Sequence, residues 1–235
     1  MQIPVPSVPQ YETTLPVSKK KIKFRPFLVK EEKILLLAAE ADEQSDREYV
    51  DAIIQVLTNC TLDKVEVSKL ATADVEWLFI QIRKRSVGEI ISGTVKCPHC
   101  SAVNLYEINL DKVAVLGGTL DRNIKLDDTF MVTMKFPTVG GVNSLSPSYK
   151  ATDRTMATIA SMVEMIVIGD NVLSDADMSI ADIMAWLENL TTTQVEEMEK
   201  FIADLPRVTY DDSIKCVSCS GEVKIHMEGL ESFFL

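Results

Sequence analysis

Apolar residues recur at helical intervals, then at strand intervals, then at helical intervals again, and two Cys-x-x-Cys turns bracket the second helical run. Together with a proline-rich start, these patterns predict an α+β chain. The expected architecture is an N-terminal helical bundle, a four-cysteine zinc-knuckle β module and a helical subdomain inserted between the two cysteine turns. The expected divisions are an extended arm over 1–18, a helical domain over 19–88, a discontinuous β module over 89–143 and 207–235, and an inserted helical subdomain over 144–206.

Pro4, Pro6, Pro9 and Pro16 withhold ladder hydrogen bonds, so residues 1–18 read as an extended arm without a core of its own. The alternation of Ile22 and Phe24 marks a short strand. Lys19, Lys20, Lys21, Lys23 and Arg25 read as its solvated edge, a pattern that discourages edge-to-edge pairing. From Val29 to Ala41 the period becomes helical, with Ile34, Leu35 and Ala38 inward. Ser45 and Glu48 form a capping box that opens a second helix, which carries Val50, Ile53, Ile54 and Leu57 on one stripe and ends near Asn59. Thr72 reads as the N-cap of a third helix, with Asp74 and Glu76 in its first turn and Val75, Leu78, Phe79 and Ile82 as its buried stripe.

After Gly88 the period shortens to two. Ile90 to Lys96 and Val103 to Ile108 read as a hairpin with Cys97-Pro98-His99-Cys100 at its tip, and further strands are expected at Asn123 to Leu126 and Phe130 to Phe136. Pro137 to Pro147, which includes Gly140-Gly141, reads as a loop. Helices are then expected from Ala151 to Ile166, from Ile180 to Leu190 after a Ser179/Asp182 box, and from Gln194 to Leu205 after a Thr193/Glu196 box. Met156, Met162 and Met165 fall on the first of these and read as core, with an adaptable apolar docking groove as the lesser reading. Val208 to Lys215 and Val223 to Met227 flank the second cysteine turn as strands, before an apolar tail ending in Phe233, Phe234 and Leu235.

The two turns form an internal repeat, VKCPHCSAVNLYEI and IKCVSCSGEVKIHM. A Cys-x-x-Cys turn presents two thiolates on one side of a tight bend, so two facing bends supply the four soft ligands that zinc prefers. Cys97, Cys100, Cys216 and Cys219 are therefore the expected ligands of a structural Zn2+ with no open position for a reacting water. The 115 residues from Ser101 to Lys215 are too many for a free-standing ribbon, so the site reads as a clasp that fixes the inserted subdomain against the N-terminal bundle. His99 and His226 are expected to be surface or packing residues, and Cys60 a buried small hydrophobe.

With two histidines in the chain, both beside the cysteine turns, there is little imidazole for nucleophilic catalysis, and neither a nucleophile elbow nor a phosphate loop is present. The acidic pairs Glu31/Glu32, Asp127/Asp128 and Glu196/Glu197 sit where helix first turns and loops favour acids. The expectation is a protein that is not an enzyme. Apolar runs fall short of the ~18 residues of a membrane span, and the N-terminus lacks the order of a signal peptide, so no membrane association is expected. A net charge of −11 repels nucleic acid.

The segment KKIKFRPFLVKEEKILLLAAE, followed by AIIQVLTNCT, by DVEWLFIQIRKRSVGE and by the first cysteine turn, resembles the baseplate hub protein family of T4-type contractile-tailed bacteriophages. The resemblance covers residues 14–140 and is most specific at FRPFLVKEEK and RSVGE. It implies a protein needed to build the central hub of the tail baseplate, as a hub subunit or as a hub assembly catalyst. Its implied partners are hub or tape-measure proteins, and its implied places are the host cytoplasm during assembly and the tail baseplate. The resemblance implies no catalytic residues. The alternative of another class is a zinc-containing nucleic-acid or regulatory adaptor, against which the acidic charge weighs.

Overall fold

The computed structural model describes residues 6–40, 46–63, 65–118, 120–145 and 150–233. In chain order the elements are β1 (Tyr11–Thr14), β2 (Lys21–Phe24), α1 (Val29–Glu40), α2 (Asp46–Cys60), α3 (Thr72–Ser86), β3 (Ile90–Lys96), β4 (Val103–Asn109) and β5 (Ala114–Leu116). They continue with β6 (Asn123–Lys125), β7 (Phe130–Met134), α4 (Val139–Ser144), α5 (Ala151–Met162), β8 (Val163–Ile168), β9 (Asn171–Ser174), α6 (Ile180–Leu187), α7 (Thr192–Ala203), β10 (Arg207–Lys215) and β11 (Glu222–Glu228). The chain is thus mixed α+β, with several small sheets. It divides into two compact units, Met1–Leu116 with Arg207–Leu235, and an insert, Gly117–Pro206.

In the first unit, the expected arm ends in a strand: β1 pairs antiparallel with β2, Tyr11 opposite Phe24 and Thr14 opposite Lys21. Tyr11 to Thr14 lie between Pro9 and Pro16, contain no proline and are rich in β-formers, so this stretch is free to join a ladder. Leu15 is fully buried behind it. The turn that follows is fastened by Asp74, whose buried carboxylate accepts the Val17 N–H at 2.7 Å and the Ser18 N–H at 3.0 Å. α3 starts at Thr72, so Ala71 is the N-cap and no side chain caps it. Asp74 therefore serves a tertiary purpose beyond the helix-end charge expected of it.

Lys21 and Lys23 point outward and Ile22 and Phe24 inward, as the alternation requires. Arg25 departs from the expected solvated edge. Its guanidinium reaches Glu31 on α1 at 3.0 and 3.3 Å, and Glu31 is fully buried. The Leu28 N–H also donates to Glu31 at 2.9 Å, and the Asn59 carbonyl accepts from Arg25 at 2.9 Å. Burial opposes the Glu31 charge, yet Arg25, the Leu28 N–H and Lys30 together hold its carboxyl below the ordinary value. Cys60, the last residue of α2, is buried and its thiol is pushed up to about 11 by that burial. The α2 cap expected at Ser45 lies outside the described residues. Val75, Leu78, Phe79 and Ile82 are all buried on α3, as their spacing predicts.

The remainder of this unit is built from hairpins. β3 and β4 form a two-stranded sheet, and β10 lies between β11 and β5 in a three-stranded one. β5 is a strand that periodicity did not reveal, because Ala114–Leu116 is too short to show alternation. Its pairing with β10 sets Leu116 opposite Arg207. The chain therefore leaves this unit and returns to it at two paired residues.

The insert has a four-stranded antiparallel sheet in the order β6-β7-β8-β9. Its core joins Val132, Met134, Val163 and Ile166 from the strands to Ile159, Met162, Ile183, Leu187, Met198 and Phe201 from the helices. The purely helical subdomain expected over 144–206 is corrected here. The helix beginning at Ala151 stops at Met162, and Val163–Ile168 turns into a strand with Val172 and Leu173 on its neighbour. The run Val163-Glu164-Met165-Ile166-Val167-Ile168 satisfies helical spacing, but its β-branched residues lose rotamer freedom in a helix and gain partners in a sheet. Met165 consequently lies on β8, apart from the helix that carries Met156 and Met162. The expected loop after Pro137 contains α4, capped by the Thr138 hydroxyl, which accepts the Gly141 N–H at 3.0 Å. The Ser179/Asp182 box opens α6 as read, whereas α7 is opened by Thr191 and Gln194 and not by Thr193 and Glu196.

Candidate metal centre

Each cysteine turn sits at the tip of a hairpin, the first between β3 and β4 and the second between β10 and β11. The backbone closes both in the same way. The Cys97 N–H donates to the Ala102 carbonyl at 2.9 Å and the Ser101 N–H to the Cys97 carbonyl at 2.9 Å. The matching bonds at the second tip run from Cys216 to Gly221 at 2.8 Å and from Ser220 to Cys216 at 2.9 Å. Ser101 and Ser220 both take the left-handed conformation, with φ of 59° and 58°, so the sequence repeat is also a backbone repeat.

The two tips bring Cys97, Cys100, Cys216 and Cys219 together with all four Sγ atoms within 4.8 Å of one another. All four are free thiols. The short separations cross between the tips, 3.7 Å from Cys97 to Cys219 and 3.6 Å from Cys100 to Cys216. Cys97 and Cys216 are buried, and Cys100 and Cys219 face solvent. The apolar interior of the tips is small: Val223 is the third buried member of its hydrophobic cluster, with Val95, Ala102 and Ile214 partly buried against it.

The electrostatics favour a cation. The Cys216 thiol is pushed down to about 6, first by the Cys219 N–H and then by the Ser218 N–H. Cys219 is pushed up to about 12: the Gly221 N–H favours its thiolate, but the Cys100 thiol, burial and the other two cysteines oppose it. Four thiols this close resist ionising together unless a positive charge sits among them. The cluster could therefore hold a metal ion.

Residues around the cluster fix its shape. His99 lies over Gly221, where an added Cβ would come within 2.8 Å of the imidazole Cδ2 and 3.3 Å of the Cys219 Sγ. His226 is placed elsewhere, on the exposed face of β11, where its Nδ1 lies 2.7 Å from Asp211 and its Nε2 3.5 Å from Glu228. The Asp211 hydrogen bond and the Glu228 charge raise its imidazole above the ordinary value. Asn104 was not singled out by spacing. It is 1% exposed, and its carboxamide accepts the Val217 N–H and donates to the Ala102 carbonyl, both at 2.9 Å. Its partner Val217 is 113 residues away, so no local pattern marks it.

The clasp expected to hold the insert against the bundle is corrected by this geometry. All four cysteines belong to the first unit, and they join one hairpin of that unit to another. The ends of the insert meet through the pairing of Leu116 with Arg207, not through the cysteines. The acidic pairs also have local explanations: Glu31 serves Arg25, and Asp127 accepts the Thr129 N–H and hydroxyl and the Phe130 N–H in a turn.

Among the described residues no helix is long and apolar enough to cross a membrane. No curated protein and no solved structure matches the chain. A family model described as T4 bacteriophage base plate protein matches residues 8–235, which include both hairpin tips and the whole insert, and the chain belongs to that family.

Proposed function

We propose that the chain acts in building the central hub of a phage tail baseplate, as a hub subunit or an assembly chaperone. It does so by binding other proteins, with hub or tape-measure components as partners, and not by turnover. The family match over residues 8–235 carries this reading. Assembly takes place in the host cytoplasm, and a permanent subunit would remain in the virion baseplate. Quantitative mass spectrometry of purified virions separates the two roles: stoichiometric presence identifies a subunit, and absence identifies a chaperone. Normal tails assembled in cells lacking the protein would overturn both.

Zinc is the ion this reading assigns to Cys97, Cys100, Cys216 and Cys219. A Zn–S length of about 2.3 Å gives tetrahedral edges of about 3.8 Å, close to the crossed Sγ separations of 3.7 and 3.6 Å. Bound there, the ion would neutralise the thiolates and tie the two tips together. Four sulfur ligands leave no coordination position for a reacting water, which makes the role structural. Cys97 and Cys216 anchor the set from inside, and the N–H groups of Cys219 and Ser218 favour the Cys216 thiolate. Elemental analysis of the purified chain tests this: one zinc per chain is expected, and a folded sample without zinc or iron would overturn it.

A further inference from the structure

Compared position by position, the two knuckles differ by an exchange of chemistry that their common backbone does not require. Pro98 follows Cys97, and Val217 follows Cys216. Seven residues after each first cysteine stand Asn104 in one hairpin and Val223 in the other, both buried. Val217 has an N–H, and it points across to the other hairpin, where the Asn104 Oδ1 accepts it at 2.9 Å. Pro98 has no N–H to satisfy. The knuckle whose second residue needs an acceptor thus faces an amide, while the one that needs none is paired in the repeat with a buried valine.

Asn104 does more than satisfy that donor. Its Nδ2 donates at 2.9 Å to the Ala102 carbonyl, the same oxygen that accepts the Cys97 N–H at 2.9 Å. A continuous relay therefore runs from the Cys97 amide through Ala102 and Asn104 to the Val217 amide, next in chain to Cys216. Cys97 and Cys216 are the two buried members of the thiol cluster. The relay links these two, leaving the exposed pair outside it.

We infer that Asn104 is a positioning residue of the metal centre, setting the spacing of the Cys97 and Cys216 thiolates before the ion arrives. This rests on the metal reading given above. An ion entering a frame held in this way loses less binding free energy to ordering its ligands, and outer-shell partners of this kind typically change metal affinity by about 10–100-fold. The thiolates bind the ion; Asn104 touches none of it.

The repeat itself supplies the test. Asn104→Val leaves the Val217 N–H without its acceptor, and Val217→Pro removes that N–H, as Pro98 does in the other knuckle. Zn2+ affinity is measured on the full chain by competition with a chromophoric chelator, and Co2+ absorption reports the ligand set. Asn104→Val should weaken Zn2+ by about 10–100-fold with an unchanged thiolate-to-cobalt band. Val217→Pro should also weaken it, by stranding the Asn104 Oδ1. The double variant should recover most of the loss, since it rebuilds the chemistry of the first knuckle. Wild-type affinity in Asn104→Val, or losses that simply add in the double variant, would overturn the inference and leave the metal reading standing. If Asn104→Val does not fold, tighter binding by the double variant than by Val217→Pro alone still decides it. A wild-type chain that takes up neither Zn2+ nor Co2+ would sink both readings.

Discussion

The insert and the two cysteine-bearing tips of the first unit differ in what they bury. The insert is a single four-stranded sheet whose strands and helices share one core cluster, from Val132 and Ile166 through Met162 to Phe201. The first unit divides its strands among three small sheets, two of them only two-stranded. An isolated two-stranded hairpin is marginal in water. The tips of β3–β4 and β10–β11 share a cluster of three buried apolar residues, two of them cysteines, beside the buried amide of Asn104. Where the insert has side chains to bury, the tips have thiols, and an ion held by them would take the place of a core.

The largest way to sharpen this contrast is to remove the ion proposed for the tips. Structural zinc in small peptides contributes about 10–16 kcal/mol of apparent binding energy, comparable with the whole stability of an ordinary domain. Chelation, or Cys216→Ser, should abolish protection of the two hairpin tips while the insert keeps its own melting transition. Calorimetry of the full chain should then show one transition lost or lowered and one unchanged. The reverse experiment targets the insert: Ile166→Ala should cost about 2–5 kcal/mol without changing Zn2+ stoichiometry. A loss of metal in that variant would show that the two means of stabilisation are not separate.

Within the first unit, Glu31→Ala should cost about 3 kcal/mol or more, because Arg25 would be left without its carboxylate in a partly buried site. Equilibrium denaturation checks this at pH 7. Glu76 offers an effect of opposite sign. It is buried on α3, accepts the Val208 N–H at 3.4 Å, and is pushed up to about 7, chiefly by burial, with the Glu228 charge adding to the rise and the Val208 N–H opposing it. A carboxyl whose folded value lies above its unfolded 4.5 binds more protons when folded. Its contribution is therefore fully present below about pH 4.5 and is lost as pH rises through 7. Glu76→Gln should stabilise this unit at pH 8 by up to about 3 kcal/mol and flatten the decline between pH 5 and 8. An unaltered pH profile in this variant would show that Glu76 ionises freely. The smallest effect belongs to the insert: Thr191→Ala, which removes the α7 capping box, should cost about 1 kcal/mol.

The contrast also explains what could be read in the sequence. The helices α2 and α3 and the two cysteine hairpins follow from their spacing, because each has one buried face or a turn of fixed chemistry, whereas Ile34, Leu35 and Ala38 of α1 are only partly buried. The thiol cluster was legible across 115 residues because no other residue type brings four soft ligands to two matching turns. The β8–β9 hairpin was not, since Met162 to Ile168 has both a helical spacing and a β-branched composition, and only strand partners such as Val172 decide between them. β1 was hidden by the prolines on either side of it, and Asp74 by a role that depends on residues 56 and 57 positions away. Asn104 was hidden differently: its purpose lies in a missing N–H at Pro98 and a present one at Val217, a comparison visible only once the tips face each other.

The most direct measurement is hydrogen exchange of the full chain with and without a zinc chelator, resolved by segment. Replacing core with metal at the hairpin tips predicts that chelation accelerates exchange in β3, β4, β10 and β11 near their turns and leaves β7 and β8 protected as before. Equal acceleration in β7 and β8, or no change at the tips of a demonstrably metal-free chain, would contradict it.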